Sequence, residues 1–149
     1  MGLYRLIYAS TATDIDRDLL TNIIETSNRL NSKNYITGMM IFDNGYFLQL
    51  LEGERAFLTK RFLEISKDTH HNDIEILTCG PIHARLFTGW GARYLGSQGA
   101  SSKILKRYQG GPEFNPYKFT SSNVEYLCLD MSTFAVSAND VANKLSIAQ

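Results

Sequence analysis

A glutamine interrupts an apolar stretch, Phe47-Leu48-Gln49-Leu50-Leu51-Glu52-Gly53. In a β-strand alternate side chains share a face, so Phe47, Gln49 and Leu51 point one way and Tyr46, Leu48 and Leu50 the other. Both faces are apolar except at Gln49, which predicts a strand covered on both sides. A buried carboxamide brings donor hydrogens and an acceptor oxygen, and each polar group left unpaired costs about 1–3 kcal/mol. Its partner is either nearby backbone, the ordinary fate of a buried amide, or something flat, polar and buried. Tyr8, ending an apolar strand, and Asn31, ending a helix, are the side chains that can converge on it. Singly, a core tyrosine with its hydroxyl on a carbonyl is ordinary, and so is an asparagine closing a helix. Together under one groove, the three would hold a planar heterocycle by its edge, with Ile24, Phe47 and Ile65 as apolar walls.

The elements that must position these residues are legible in order. Residues 3–8 alternate as a strand, and residues 10–13 read as a polar turn. Asp14 or Asp16 caps a helix whose apolar stripe is Leu19, Leu20, Ile23, Ile24 and Leu30, with small Ser27 on the same side. Polar residues 31–34 stop it. Residues 36–42 form a second strand, and Asp43-Asn44-Gly45 is a hairpin signal leading straight into the glutamine strand. Residues 54–67 form a second helix, with Phe57, Leu58, Phe62 and Ile65 on one side. His70 and His71 follow in a polar connection at 68–73. Residues 74–79 alternate as a fourth strand that Pro81 ends, and residues 88–95 form a fifth. The order β-α-β-β-α-β is ferredoxin-like, an α+β fold. Right-handed crossovers place both helices on one face, with strands one and three central. We expect those two strands to be parallel, with Tyr8 beside Gln49 under the groove between the helices.

Bulk properties narrow the classes. A chain of 149 residues, 44% hydrophobic and 11% aromatic, builds one core. Fifteen basic and fifteen acidic residues cancel, which argues against a nucleic-acid or anionic-membrane partner. No apolar run approaches a membrane span, and a chain without a signal peptide is expected. Cys79 and Cys128 lack metal-site spacing, so reduced thiols and a cytoplasmic location are expected. No G-x-G-x-x-G fingerprint and no acid–base or Cys-His arrangement supports an enzyme.

Tyr4-Arg5-Leu6-Ile7-Tyr8-Ala9-Ser10, then Ile36-Thr37-Gly38, then Phe47-Leu48-Gln49-Leu50-Leu51-Glu52-Gly53 closely resemble the BLUF domains, blue-light sensors using flavin. The resemblance covers about residues 2–96 in order and spacing, and extends loosely to the helical C-terminal part of short family members. It implies a flavin-binding domain at 1–96 and a helical extension at 97–149. By that resemblance Tyr8 is the photoactive tyrosine, Gln49 lies between it and flavin N5 and O4, and Asn31 bonds the O4/N3 edge. Trp90 is the tryptophan of strand five, either beside Gln49 or swung outward. His70 and His71 fall near flavin O2 and the ribityl side, with a solvated loop as the plainer alternative. Three positions depart from the pattern. Ala92 stands where methionine is common, Leu30 precedes Asn31 in place of histidine or asparagine, and His70 replaces an arginine.

The resemblance further implies a photoreceptor, not an enzyme. Light drives an electron and then a proton from Tyr8, Gln49 rotates or tautomerises, and the flavin spectrum shifts slightly to the red. The cofactor is expected to be FAD, with FMN or riboflavin as alternatives. In the C-terminal part, residues 102–108 read as a short basic helix. Ser122-Asn123-Val124-Glu125 looks like a capping box opening a helix with Val124, Leu127, Cys128 and Met131 on its apolar face. Residues 138–149 are a third helix or a frayed tail. These helices are expected to cover the Leu3/Ile7 and Leu48/Leu50 faces. No output domain is expected to follow, so the signal is expected to reach a separate signalling protein or to alter self-assembly, as a dimer or ring.

Overall fold

Two β-α-β crossovers joined by a tight hairpin generate the architecture. The computed structural model describes residues 2–94, 96 and 100–133; the segment 138–149 lies outside them. The elements are β1 (Leu3–Ala12), α1 (Arg17–Lys33), β2 (Thr37–Asp43), β3 (Tyr46–Glu54), α2 (Arg55–Ser66), β4 (His71–Ile82) and β5 (Trp90–Tyr94). Then come α3 (Ala100–Tyr108), a 3-10 turn (Pro116–Lys118) and α4 (Ser121–Thr133). One five-stranded sheet has the order β4-β1-β3-β2-β5, the expected ferredoxin-like α+β arrangement with β5 added beside β2. No helix among the described residues is long and apolar enough to cross a membrane.

Local chemistry sets the boundaries. Asp16 caps α1, its Oδ1 accepting the Leu19 N–H at 2.8 Å, one of the donors a helix start leaves unpaired. Asn44 and Gly45 both adopt positive φ, 53° and 77°, the backbone of a two-residue hairpin that matches strand twist. Thr120, two residues before the expected Ser122, caps α4: its Oγ1 accepts from the Asn123 N–H at 3.2 Å.

Three expectations need correction. Strands β1 and β3 are central but antiparallel. Each crossover skips one strand and restores direction, while the hairpin reverses it, so β3 runs against both β2 and β1. Residues 10–12 are not a turn; β1 continues because Thr11 pairs with Tyr46 on one side and Ala12 with His71 on the other. Pro81 does not end β4, where it sits opposite Tyr4. β4 is an edge strand, and an edge leaves half its N–H groups without a ladder partner, so a proline fits.

The sheet buries both faces. On one, Leu6, Tyr8, Met40, Phe47 and Leu51 pack with Leu20, Leu58, Ile65 and Trp90. On the other, Ile7, Met39, Ile41, Leu48 and Leu50 pack with Leu105, Val124, Leu127, Cys128 and Met131. The apolar stripe read for α4 is therefore the stripe that is buried. Leu3, expected beneath it, is only half-buried. Gly38 governs how closely β2 and β3 approach. Its φ is +150°, and a Cβ there would lie 1.9 Å from the Leu50 carbonyl oxygen. Lacking one, β2 closes onto β3, and the Gly38 N–H reaches the Gly89 carbonyl at 3.0 Å, fixing the chain one residue before Trp90.

Candidate functional site

The antiparallel register sets Tyr8 directly opposite Gln49, on the sheet face that carries α1 and α2. Both are buried. The Gln49 Nε2–H donates to Tyr8 Oη. From the other side, the indole Nε1–H of Trp90 donates to Gln49 Oε1 at 3.0 Å. The indole has a donor and no acceptor, so it fixes which end of the carboxamide faces it: oxygen toward Trp90, NH2 toward Tyr8. Trp90 reaches this position because β5 runs parallel to β2, with Gly38 opposite Trp90 and Met40 opposite Ala92. Trp90 thus lies inside, against Gln49. Burial pushes the Tyr8 phenol far above its ordinary range, against smaller downward pulls from the Gln49 hydrogen bond and the Arg61 charge. The phenol is protonated at neutral pH.

A cavity lies between the two helices over this pair. Tyr8, Met40, Phe47 and Gln49 form its floor; Ile23 and Ser27 come from α1, Arg61, Glu64 and Ile65 from α2, and Asp68, His70 and His71 from the following segment. Of the expected walls, Phe47 and Ile65 are present. Ile24 is not; Ile23, one position and about 100° around the helix, takes its place. Ile24 packs into the helix–sheet core, on the stripe it shares with Leu20 and Asn31.

The two histidines do different things. His71 Nε2 lies 2.7 Å from the Ile65 carbonyl and Nδ1 2.8 Å from Ser10 Oγ. A carbonyl only accepts, so Nε2 carries a hydrogen, and the Ser10 hydroxyl, able to donate or accept, meets Nδ1. The ring stands edge-on to Tyr8 and Phe47, with centroids 6.3 Å from each. His70 sits at the mouth, its Nδ1 2.7 Å from Asp68 Oδ1, both side chains 44% exposed.

Asn31 is fully buried and does not line the cavity. Its backbone carbonyl closes α1, accepting from the N–H groups of Asn34 and Ile36. That leaves the side chain free for other work. Its Oδ1 accepts from the Arg61 Nε–H at 2.8 Å, and its Nδ2 has no partner. Arg61, itself buried, is the residue that sequence reasoning missed. It falls on the stripe of Leu58 and Ile65, and a cation on a buried helical stripe is the signal that marks it. No group of three or more metal-ligating side chains occurs among the described residues.

The family model described as BLUF, sensors of blue-light using FAD, matches residues 3–93. The photoactivated adenylate cyclase subunit beta of Euglena longa is 35% identical over 86 residues, 57% of this chain and 10% of the relative. The blue light- and temperature-regulated antirepressor BluF of Escherichia coli K12 is 31% identical over 86 residues, 57% of this chain and 21% of the relative. The chain therefore spans about a tenth of the cyclase subunits it matches and a fifth of the antirepressor. Among solved structures, BlsA in its photo-activated state superposes with a TM-score of 0.77 at 25% identity, covering 91% of this chain and 98% of that one. BlrB in its dark state shares the fold, with a TM-score of 0.58 at 23% identity and coverage of 99% and 95%. With its sheet, its inter-helix cavity and a family match over most of its length, the chain belongs to the BLUF family of flavin-dependent blue-light sensors.

Proposed function

We propose that the hydrogen-bonded series Tyr8–Gln49–Trp90 is the light switch of this sensor. The cavity suits a flavin ring. Phe47, Ile23 and Ile65 offer apolar surface, while Gln49 and Arg61 offer donors for an edge bearing carbonyl oxygens; the unpartnered NH2 of Asn31 lies outside the cavity lining. His70 at the mouth and His71 on the inner wall are the residues that would meet the flavin's side chain. Flavin, when bound, supplies the absorption of blue light and a strongly oxidising excited state.

The protein's part follows from its own groups. Tyr8 enters the event protonated and neutral, and so has both an electron and a proton to give. Gln49 lies against the phenol oxygen and is the path by which that proton leaves and returns. The amide either rotates or tautomerises, because its two ends exchange donor and acceptor roles. Rotation turns its NH2 toward the indole N–H, two donors face to face. Trp90 must then give up its bond, and the change passes into β5. Electron and proton return to Tyr8, leaving no net chemistry and a rearranged network in a site of low dielectric.

The observation that carries this reading is the continuity of the three-residue bond series. It is tested by illuminating the flavin-loaded protein. The wild type gives a small, reversible red shift, and Gln49→Leu, which has no donor to exchange, gives none. A full red shift in that variant overturns the reading.

We further propose that residues 1–96 form the sensing unit and 97–149 an extension that reports its state. FAD is the cofactor expected in the cell, with FMN and riboflavin accepted by the same ring contacts. The signal leaves through β5 and the C-terminal helices to a separate cytoplasmic signalling protein, or through self-association as a dimer or ring. Two observations support this route: α4 packs on the opposite sheet face, and Arg5 bridges Glu52 to Glu125 of α4.

A further inference from the structure

We propose that the surface formed by Leu3, Tyr35, Glu54, Phe57 and Arg85 is a two-fold contact with a second copy of this chain, in which Tyr35 of each copy enters a hollow on the other. The proposal deepens the self-association reading above and needs no part of the Tyr8–Gln49–Trp90 switch. The surface lies at the Leu3 end of β1, and the flavin cavity lies toward the Ala12 end, where His71 pairs. Three observations carry it. Tyr35 has a φ of 56°, the left-handed backbone that glycine or asparagine ordinarily supplies at a helix exit. Yet 78% of it is exposed, so little of its ring is covered by its own chain to offset that strain. Phe57, which the stripe of α2 was expected to turn inward, is 40% exposed; with Leu3 and Tyr35 it lines a hollow of about 500 Å3 that Asn34, Glu54 and Arg85 complete. Glu54 and Arg85 have no ion-pair partner among the described residues. The Arg85 Nη1 donates to two neutral oxygens, Thr37 Oγ1 at 2.8 Å and the Glu52 carbonyl at 2.9 Å.

The occupant follows from what the surface contains. A projecting aromatic ring and a hollow with room for one stand side by side, and an anion and a cation line the same hollow. A patch built for an acidic or a basic partner would carry one sign of charge. A patch with a knob, a hole and both signs is complementary to itself. Turned about a two-fold axis, each Tyr35 faces the other copy's hollow and each Glu54 faces the partner's Arg85, so every contact is made twice and the assembly closes at two. Tyrosine suits the centre of such a contact, because its ring buries a large rigid area while its hydroxyl stays hydrogen-bonded at the rim. The strained backbone of Tyr35 is then offset in the dimer, where the ring is covered. The two charges fix register and orientation more than affinity.

Sedimentation velocity of the full chain in the dark tests this, with protein raised to about 100 μM, well above the micromolar Kd of a weak specific contact. The wild type is expected to sediment as a dimer. Tyr35→Gly removes the ring and relaxes the backbone, so self-association should weaken at least tenfold while the melting temperature holds or rises. Glu54→Arg and Arg85→Glu each set like charges against one another across the axis, and each alone should dimerise at least tenfold more weakly. Mixed one to one, these two variants place opposite charges at both contacts and should form a dimer of near wild-type strength. That rescue requires the two-fold arrangement and does not depend on how Tyr35→Gly folds. A wild type that stays monomeric at that concentration overturns the proposal and leaves the surface to a different protein. A dimer or larger ring that survives Tyr35→Gly overturns the choice of surface, and a mixture that stays monomeric overturns the two-fold pairing. Sedimentation is read without light, so the outcome of the Gln49→Leu test does not bear on it.

Discussion

Strand β3 carries two buried polar side chains three residues apart, on opposite faces of the sheet, and the protein treats them in opposite ways. Glu52 is saturated. Its carboxylate accepts from Arg5 Nε at 3.0 Å and Nη2 at 2.7 Å, and from the backbone N–H groups of Leu86 and Phe87 at 3.0 and 3.1 Å. Gln49 is held at both ends, by Tyr8 and Trp90, yet each bond depends on which way one amide faces. Nearby, Asn31 keeps an unpartnered NH2. A buried polar group with every position filled has one arrangement and serves as scaffold. A buried group whose partners can trade roles has two and can switch. The cost of an unmade bond is greater at the charged site; what separates the two in behaviour is whether an alternative bond is within reach.

This contrast can be broken, beginning where the largest effect lies. Glu52→Ala leaves two N–H groups unpaired and Arg5 with the longer contact to Glu125 at 3.3 Å, and removing one member of a buried pair costs about 3–5 kcal/mol. Urea unfolding should show that loss, and a change below about 1 kcal/mol would remove Glu52 from the scaffold. Next is alkaline pH. The Tyr8 phenol is raised by burial in the fold from its ordinary value of 10.0, so the unfolded chain ionises first. The sign follows: stability is complete below about pH 10 and declines above it, by up to about 1.4 kcal/mol per pH unit for one proton. The difference between wild type and Tyr8→Phe isolates this slope from that of Cys128, whose buried thiol is also raised.

Tyr8→Phe at neutral pH should cost only about 1 kcal/mol, the net worth of one buried hydrogen bond, while flavin stays bound and the light-induced shift disappears. A Tyr8→Phe protein with an intact photocycle would place the switch elsewhere. The smallest effect is expected at Glu125→Gln. Glu125 is 38% exposed and meets Arg5 at 3.3 Å, so the stability change should stay below about 1 kcal/mol. If light alters α4 through Arg5, hydrogen exchange of α4 amides should lose part of its light dependence in that variant.

Much of the fold and site was readable from the chain, and the failures have a common cause. The apolar run around Gln49, the Asn44-Gly45 turn and the two helical stripes are local patterns, and local patterns fixed the sheet order and the meeting of Tyr8 with Gln49. What eluded sequence reasoning depends on partners distant in the chain. Arg61 finds Asn31 thirty residues away. Choosing Ile23 over Ile24 for the cavity requires the helix rotation, which the sheet sets. Whether Trp90 lies inside rests on Gln49 having a free oxygen across two strands. Glu52 and Arg5 are opposite each other in the ladder, so their pairing becomes legible once the antiparallel register is known, and is hidden while those strands are taken as parallel.

The close approach at Gly38 reaches as far as the indole. The depth of the Trp90 ring is set by how tightly β2 nests against the Leu50 carbonyl, and that nesting requires a residue with no side-chain carbon. A methyl group there would push the β2–β5 ribbon away and lift the indole off its acceptor before any photon arrived. On the proposed switch, the resting state is thus calibrated by an empty position outside the cavity, and the sensor's sensitivity becomes a property of the backbone as much as of the pigment.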